Sequence, residues 1–297
     1  MTFSAMIEAR AQFMELVAEI RPQLHRYCAR MVGNVIDGED LVQDTLAKAF
    51  FAFAEMSEPP QLRAWLFRIA HNAAMDFLRR YDRKNVDLVA DIPEVGEPTE
   101  REPDPALVEL ALTAFVSLAP AQRSAVILKD VLGLSIDETA STMGATVLAV
   151  KGALVRARAN IAASKPSANS SAPASLSSQL SADEIKLLQR YADLFNARDW
   201  DGLRSLLGEQ ARVDVVSRRR DRPAITYYGT YAEIAPAQGL RAEAGVVDGT
   251  PAIAVYRATS TRPAYFLRLT WEDGRLMYVR DYYWVPYIAT EACFTNG

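Results

Sequence analysis

Cysteine and histidine are scarce, with two of each in 297 residues. Cys28 and Cys293 stand at opposite ends of the chain, which argues against a disulfide framework and fits a reducing compartment. His25 and His71 have no cysteine pair beside them, so a Cys/His zinc site is excluded and a Ser-His-Asp hydrolase is disfavoured. Long apolar runs are missing too. A charge or a proline breaks each of them well short of the roughly 18–20 residues a membrane span needs. The opening Met1-Thr2-Phe3-Ser4-Ala5 has no basic segment leading into an apolar run, so no secretory signal and a cytoplasmic location are expected. No metal, cofactor or membrane partner is expected.

What is present is an ordinary soluble composition: 50% hydrophobic, 24% charged, with a net charge of -4 from 33 basic and 37 acidic residues. At roughly 100–200 residues per domain, the length suggests two or three units, each able to bury a core. The charge is unevenly spread. Arg63, Arg68, Arg79, Arg80, Arg83 and Lys84 face only Asp76 and Asp82 between 61 and 84, and Lys151, Arg156, Arg158 and Lys165 meet no acid between 145 and 165. Between these basic patches, residues 85–110 carry a run of Asp and Glu against Arg101 alone. Clustered cations on a helix face are an electrostatic footprint for phosphates, although a solvated face has the same composition.

Residues 5–83 read as nearly continuous helix, broken at Gly33-Asn34 and at Glu58-Pro59-Pro60. Helical spacing of apolar residues runs through Leu16, Ile20, Leu24 and Tyr27, through Leu41, Leu46 and Phe53, and through Trp65, Leu66, Ile69 and Phe77. Trp65 and Phe67 are expected in the core rather than stacked on unpaired bases. The acidic, proline-containing stretch 85–105 reads as a linker, and helix resumes near Leu107. Residues 164–180 form a Ser/Ala/Pro tract with too little apolar surface to fold. Beyond it, Ser181 and Glu184 fit a capping box, a second short helix is expected around Trp200–Leu207, and strands are expected at 211–217, 224–229, 252–258, 263–272 and 275–285. Glu272-Asp273-Gly274 marks a hairpin turn. Helices followed by a strand meander indicate an α+β domain.

The most informative stretch is Leu134 to Arg158, which has the layout of a helix-turn-helix. Ser135 and Glu138 suit a capping box, Gly144 falls at the sharp turn, and Thr146 can cap the second helix. That helix is expected to bury Val147, Val150, Leu154 and Ala157 and to turn Leu148, Lys151, Val155 and Arg158 outward, a basic face suited to a major groove. A plain helical hairpin in a bundle is the competing reading. In the first half, Asp40, Gln43 and Asp44 recur at helical spacing and give an acidic face for a partner's basic groove. Arg79, Arg80, Arg83 and Lys84 offer phosphate contacts at a helix end, Arg68 another, and Asn72 a bond to a base edge.

These segments resemble the extracytoplasmic-function group of sigma-70 family RNA polymerase sigma factors. Leu118-Ala-Pro-Ala-Gln-Arg123, Val131-Leu-Gly-Leu134 and the helix-turn-helix ending in Arg156-Ala-Arg158 look like region 4. Asp37 to Phe50 looks like the acidic helix that docks on the polymerase clamp, and Leu62 to Arg80 like the promoter-melting, -10-reading helix of region 2. The resemblance implies core RNA polymerase and promoter DNA as partners, with Asp37, Asp40, Gln43 and Asp44 on the polymerase. It implies Arg68, Asn72, Arg79, Arg80, Arg83, Thr146, Leu148, Lys151, Val155, Arg156 and Arg158 on DNA, and no catalytic residue. Thr139 replaces the family's usual aliphatic residue, and Gly152 and Val155 its usual serine and histidine, which suggests a differently tuned -35 contact.

Residues 181–297 resemble the cone-shaped α+β fold of polyketide-cyclase-like (SnoaL-like) domains in the nuclear-transport-factor-2-like superfamily. The resemblance implies a domain that modulates the sigma domains in cis and leaves room for a small-molecule ligand. Asp214, Asp281, Tyr228 and Tyr283 are the residues that would line such a cone, with a carboxylate as candidate base. The basic segment Arg218-Arg-Arg-Asp-Arg222 reads as a solvated turn. The expected organisation is therefore region 2 over 5–84, a linker over 85–105, region 4 over 106–163, a second linker over 164–180 and the last domain over 181–297. Two other functions compete: a helix-turn-helix regulator that works without core polymerase, and a small-molecule cyclase or isomerase with a basic helical appendage.

Overall fold

Pro22 sits where a proline costs a helix nothing, since first-turn amides have no intrahelical partner, and helix α1 runs Arg21–Val32 from there. Helix α2, Val35–Glu55, comes after Gly33. The two pack closely enough that a Cβ at Gly38 would lie 2.6 Å from the Ala29 backbone. Only glycine permits that approach. Helix α3, Leu62–Asp82, completes the first group. The computed structural model describes residue 13 and residues 15–55, 61–82, 112–163, 182–217 and 222–296. Arg83, Lys84, the 85–105 linker, the 164–180 tract, Ser181 and residues 218–221 lie outside the described residues.

Helices α4, Leu112–Val116, and α5, Pro120–Val126, lead into a π-helical turn, Ile127–Val131. Helices α6, Ile136–Met143, and α7, Val147–Ala163, come next. One hydrophobic cluster gathers Leu24, Tyr27 and Met31 of α1, Leu46 of α2 and Phe67 and Ala70 of α3 together with Phe115, Val126, Leu128, Val150 and Leu154. Helices α1–α3 and α4–α7 thus share a core within one unit, Met1–Ser170. No described helix is long and apolar enough to cross a membrane, and no described cluster of His, Cys, Asp or Glu could hold a metal ion.

The second unit, Ser171–Gly297, begins its described part with α8, Ala182–Asn196, and α9, Trp200–Ser205, capped by Asp199, whose carboxylate accepts from the Gly202 amide at 2.7 Å. Strands β1 (Leu207–Val215) and β2 (Arg222–Pro223) precede α10 (Ala224–Ala237), then β3 (Leu240–Val247), β4 (Thr250–Arg257), β5 (Tyr265–Glu272) and β6 (Arg275–Asp281). A short α11 (Ile288–Glu291) and β7 (Phe294–Asn296) close the chain. The sheet order is β2-β1-β6-β5-β4-β3-β7, with β1 parallel to β6 and the other neighbours antiparallel. Helices α8, α9 and α10 cover one face, where Leu188, Phe195, Tyr231, Val213, Val255, Leu267 and Val279 form the core.

Two expectations fail here. Residues 224–229 are helix rather than strand, because Tyr227, Tyr231 and Ala235 bury one helical face. Strand β3 is an addition to the expected set, although Asp248-Gly249, both at positive φ, supply the two-residue turn that joins it to β4. The hairpin at Asp273-Gly274 has the same positive-φ pair, as expected.

Candidate nucleic-acid interface

Arg68, Asn72, Arg79 and Arg80 are all exposed on α3; the first three follow one another at helical spacing, and Arg80 lies about 100° round the helix from Arg79. Phe67 points the other way; it is buried and meets Tyr27 edge-on with centroids 5.9 Å apart. Trp65 packs on Phe53, so both aromatics belong to the core. Arg79 pairs with Asp76 and holds that carboxyl below the usual carboxylate range. Both arginines lie in the last turn of α3, where cations complement the helix dipole. Arg83, expected to extend this stripe, lies outside the described residues.

The acidic face of α2 divides. Asn34 opens the helix by accepting the Asp37 amide at 2.7 Å, and its side-chain NH2 donates to the Asp37 carboxylate at 2.7 Å. Gln43 donates to Glu39 at 3.0 Å, and Glu39, fully buried, pairs with Arg21 at 2.5 Å. Asp40 is half-buried and Asp44 exposed. Of the four expected docking residues, Asp44 is fully outward, while Asp37 and Gln43 also brace the helix. Glu39 escapes sequence reasoning because its partner lies 18 residues away.

The turn between α6 and α7 is built as its sequence predicts. Ser135 Oγ accepts from the Glu138 amide at 3.1 Å while the Glu138 carboxylate accepts from the Ser135 amide at 2.7 Å. That backbone bond is the main reason the Glu138 carboxyl sits below its ordinary range. Gly144 takes the left-handed conformation at φ +61°, and Thr146 Oγ accepts the Ala149 amide at 3.2 Å. Thr139, the departure from an aliphatic residue, is buried with its hydroxyl bonded to the Ser135 carbonyl at 2.8 Å. Val150, Ala153, Leu154 and Ala157 bury the inner face of α7. Leu148 is exposed, and Lys151, Val155 and Arg156 are half-buried; Val147, expected inside, is only half-buried.

One site residue is corrected. Arg158, expected outward on the groove face, reaches back to Asp130 in the π-helical turn, donating Nε at 2.9 Å and Nη2 at 2.7 Å. Asp130 is 2% exposed, so the pair is drawn into the protein and the guanidinium's fork is spent there.

Across the shared core, the Tyr27 hydroxyl of α1, the His71 ring Nδ1 of α3 and the Ser124 hydroxyl of α5 form a closed triangle with edges of 3.0, 2.9 and 2.9 Å. Burial pulls the His71 pKa down to about 4, so the ring is neutral there. Arg123, also buried, donates to the carbonyls of Met31, Val116 and Leu118 and so ties α5 to the C-terminal end of α1.

In the second unit, Asp281 at the end of β6 faces α10. Its Oδ2 accepts from the Tyr227 hydroxyl at 2.7 Å and from Tyr231 at 3.0 Å, and its Oδ1 accepts from the Tyr283 amide at 2.8 Å. Tyr265 lies 2.9 Å from Tyr231, and Tyr228 pairs with Tyr191 at 3.3 Å. Burial raises Asp281 to about 6, against the lowering effect of those bonds. Of the other residues considered for the cone, Tyr283 bonds Gln238, and Asp214 pairs with Arg280 at 3.2 Å.

Comparison with known proteins matches residues 16–84 to the model for sigma-70 region 2 and residues 109–161 to that for sigma-70 region 4. The ECF RNA polymerase sigma factor SigG of Mycobacterium tuberculosis is 32% identical over 233 residues, covering 69% of this chain. The chain in turn spans 61% of the length of SigG. The ECF RNA polymerase sigma factor SigM of the same species is 31% identical over 156 residues, covering 52% of this chain and 76% of SigM. Among solved structures, the extracytoplasmic function sigma factor SigJ of Mycobacterium tuberculosis is 20% identical with a TM-score of 0.36, covering 89% of this chain and 95% of that one.

Proposed function

The chain belongs to the sigma-70 family of RNA polymerase sigma factors, in its extracytoplasmic-function group, and from that premise we propose that it binds core RNA polymerase and directs it to promoters in the cytoplasm. The observation that carries the reading is the coexistence, in one chain, of the exposed Arg68-Asn72-Arg79-Arg80 stripe on α3 and the capped helix-turn-helix of α6 and α7. The first suits the backbone and bases of an opened -10 element, with cations on phosphates and Asn72 on a base edge. The second suits the major groove of a -35 element, with Thr146, Leu148, Lys151, Val155 and Arg156 nearest the DNA. Asp37, Asp40, Gln43 and Asp44 of α2 offer polymerase an acidic face.

The two reading surfaces cannot work while their helices share a core. Elements named -10 and -35 lie about 25 base pairs apart, or roughly 85 Å of duplex at 3.4 Å per pair. A unit of 170 residues has a radius of gyration of about 15 Å. The α1–α3 group and the α4–α7 group therefore part on the promoter, breaking the Tyr27-His71-Ser124 triangle and the Arg123 ties. Core polymerase on α2 and promoter DNA on α7 together supply the binding free energy for that opening.

The second unit acts as a regulatory domain rather than an enzyme. Asp281, its one buried carboxylate among the described residues, has both oxygens engaged by Tyr227, Tyr231 and the Tyr283 amide. At 2% exposure, the carboxylate ties β6 to α10 through these bonds, which supports its reading as a structural brace. Co-purification tests the main reading: full-length protein mixed with core polymerase should elute as a stoichiometric complex. A protein that binds duplex DNA yet never associates with core enzyme would establish the stand-alone regulator instead.

A further inference from the structure

Leu148 is 79% exposed, more than the other large exposed hydrophobic residues, Leu16, Phe51, Ile185 and Trp284. A single surface leucine ordinarily needs no explanation. Its position supplies one. It is the second residue of α7, and the N-terminal turn of the second helix is the part of a helix-turn-helix that meets base edges. One and two turns further along the same stripe come Gly152 and Val155, neither with a hydrogen-bonding side chain. Ala149, beside Leu148, is also exposed and apolar. Thr146 is already engaged as the helix cap. Lys151 stands to one side of the stripe, and Arg156 folds back along it so that its guanidinium would lie 3.3 Å from a Cβ at Gly152, which leaves the N-terminal turn at Leu148 without a cation over it. Arg158, the remaining donor, is held by Asp130.

Leu148, Ala149, Gly152 and Val155 carry no side-chain donor or acceptor for a base edge. The one major-groove feature that an aliphatic side chain recognises is the 5-methyl group of thymine. We propose that Leu148 is the specificity-determining residue of α7 and reads a thymine methyl in the upstream promoter element, with Lys151 and Arg156 holding nearby phosphates. The inference rests on the reading of α7 as the groove helix. It predicts that the base pair beside Leu148 is specified by a thymine methyl and not by a side-chain hydrogen bond.

Deoxyuridine tests this directly, because it removes only the methyl group. The holoenzyme of full-length protein and core polymerase is used to select duplexes from a randomised pool, and each thymine in the selected upstream element is then replaced by deoxyuridine in turn. With the native protein, one or two positions should lose roughly 3- to 5-fold in affinity, the effect of withdrawing one buried methyl. With Leu148→Ala, which alters only an exposed side chain, the same replacements should change affinity by less than about 2-fold. Deoxyuridine tolerated everywhere by the native holoenzyme, sensitivity unchanged in Leu148→Ala, or a selected element without thymine would each overturn the inference. A holoenzyme with no upstream preference at all would instead sink the placement of α7 in the groove, and this inference with it.

Discussion

Arg158 and Asp130 lie 28 residues apart and meet through two parallel hydrogen bonds of 2.9 and 2.7 Å, joining the outer end of the helix-turn-helix to the π-helical turn before it. A π-turn widens a helix by one residue and re-aims the chain beyond it, and here it presents Asp130 to the guanidinium. The basic character of α7 is therefore partly internal.

Arg158→Ala should behave as a stability mutant. Removing one partner strands a buried carboxylate, so the first unit should lose about 3 kcal/mol of unfolding free energy in urea titration. Lys151→Ala should leave stability within about 0.5 kcal/mol and instead reduce the salt dependence of promoter affinity by about 0.9 on a log-log plot. A stable Arg158→Ala protein would show that the ion pair carries no weight.

The two units should respond to acid in opposite directions. His71 is neutral when folded, with its pKa lowered from 6.5 to about 4, so its contribution is present above pH 6.5 and lost as pH falls toward 4. Asp281 is raised from 3.8 to about 6, so its unit gains stability as pH falls through that same window and loses it as pH rises. Each effect is on the order of 3 kcal/mol at 1.36 kcal/mol per pKa unit. Tyr227, Tyr231, Tyr265, Tyr191 and Tyr228 surround Asp281, Asp214 also raises its pKa, and the tyrosines stay protonated throughout. Thermal unfolding from pH 4 to 7 should show the gain of the second unit toward acid shrink in Asp281→Asn and the acid loss of the first unit shrink in His71→Gln. Unchanged slopes would remove the assignments.

On α2, Asp44→Ala should weaken core-polymerase affinity with no change in thermal midpoint, because the side chain is exposed. Gln43→Ala should lower both, since Gln43 also supports the buried Arg21–Glu39 pair. Binding isotherms and melting curves of the two variants separate docking from bracing; identical behaviour would contradict the division.

Truncation after residue 165 should change promoter-directed transcription markedly, in either direction, whereas Asp281→Asn at neutral pH should change it little. Equal transcript yield from the truncated and full-length proteins, at several salt concentrations, would show that the second unit serves another purpose.

Local signals are legible in the sequence and distant pairings are not. The helix-turn-helix can be read because Ser135, Glu138, Gly144 and Thr146 each act within four residues of themselves. Arg158 reads as a DNA contact because nothing nearby in sequence reveals Asp130. The helix at 224–237 reads as strand because Ile225, Thr226, Tyr227 and Tyr228 have strong β-propensity, and the packing of Tyr227, Tyr231 and Ala235 overrides it. Asp281 is identifiable as a candidate, but its three hydrogen-bond partners, which decide what it can do, come from α10 and from the turn after β6.

The most direct measurement is run-off transcription from genomic promoter fragments with purified core polymerase. Full-length protein should yield transcripts of defined length that core enzyme alone does not produce, and the double substitution Arg79→Ala, Arg80→Ala should reduce their yield at least 10-fold, in keeping with loss of two phosphate contacts at moderate salt, roughly 1.4 kcal/mol or more. Transcription unchanged by adding the protein, or undiminished by losing both arginines, would contradict the account.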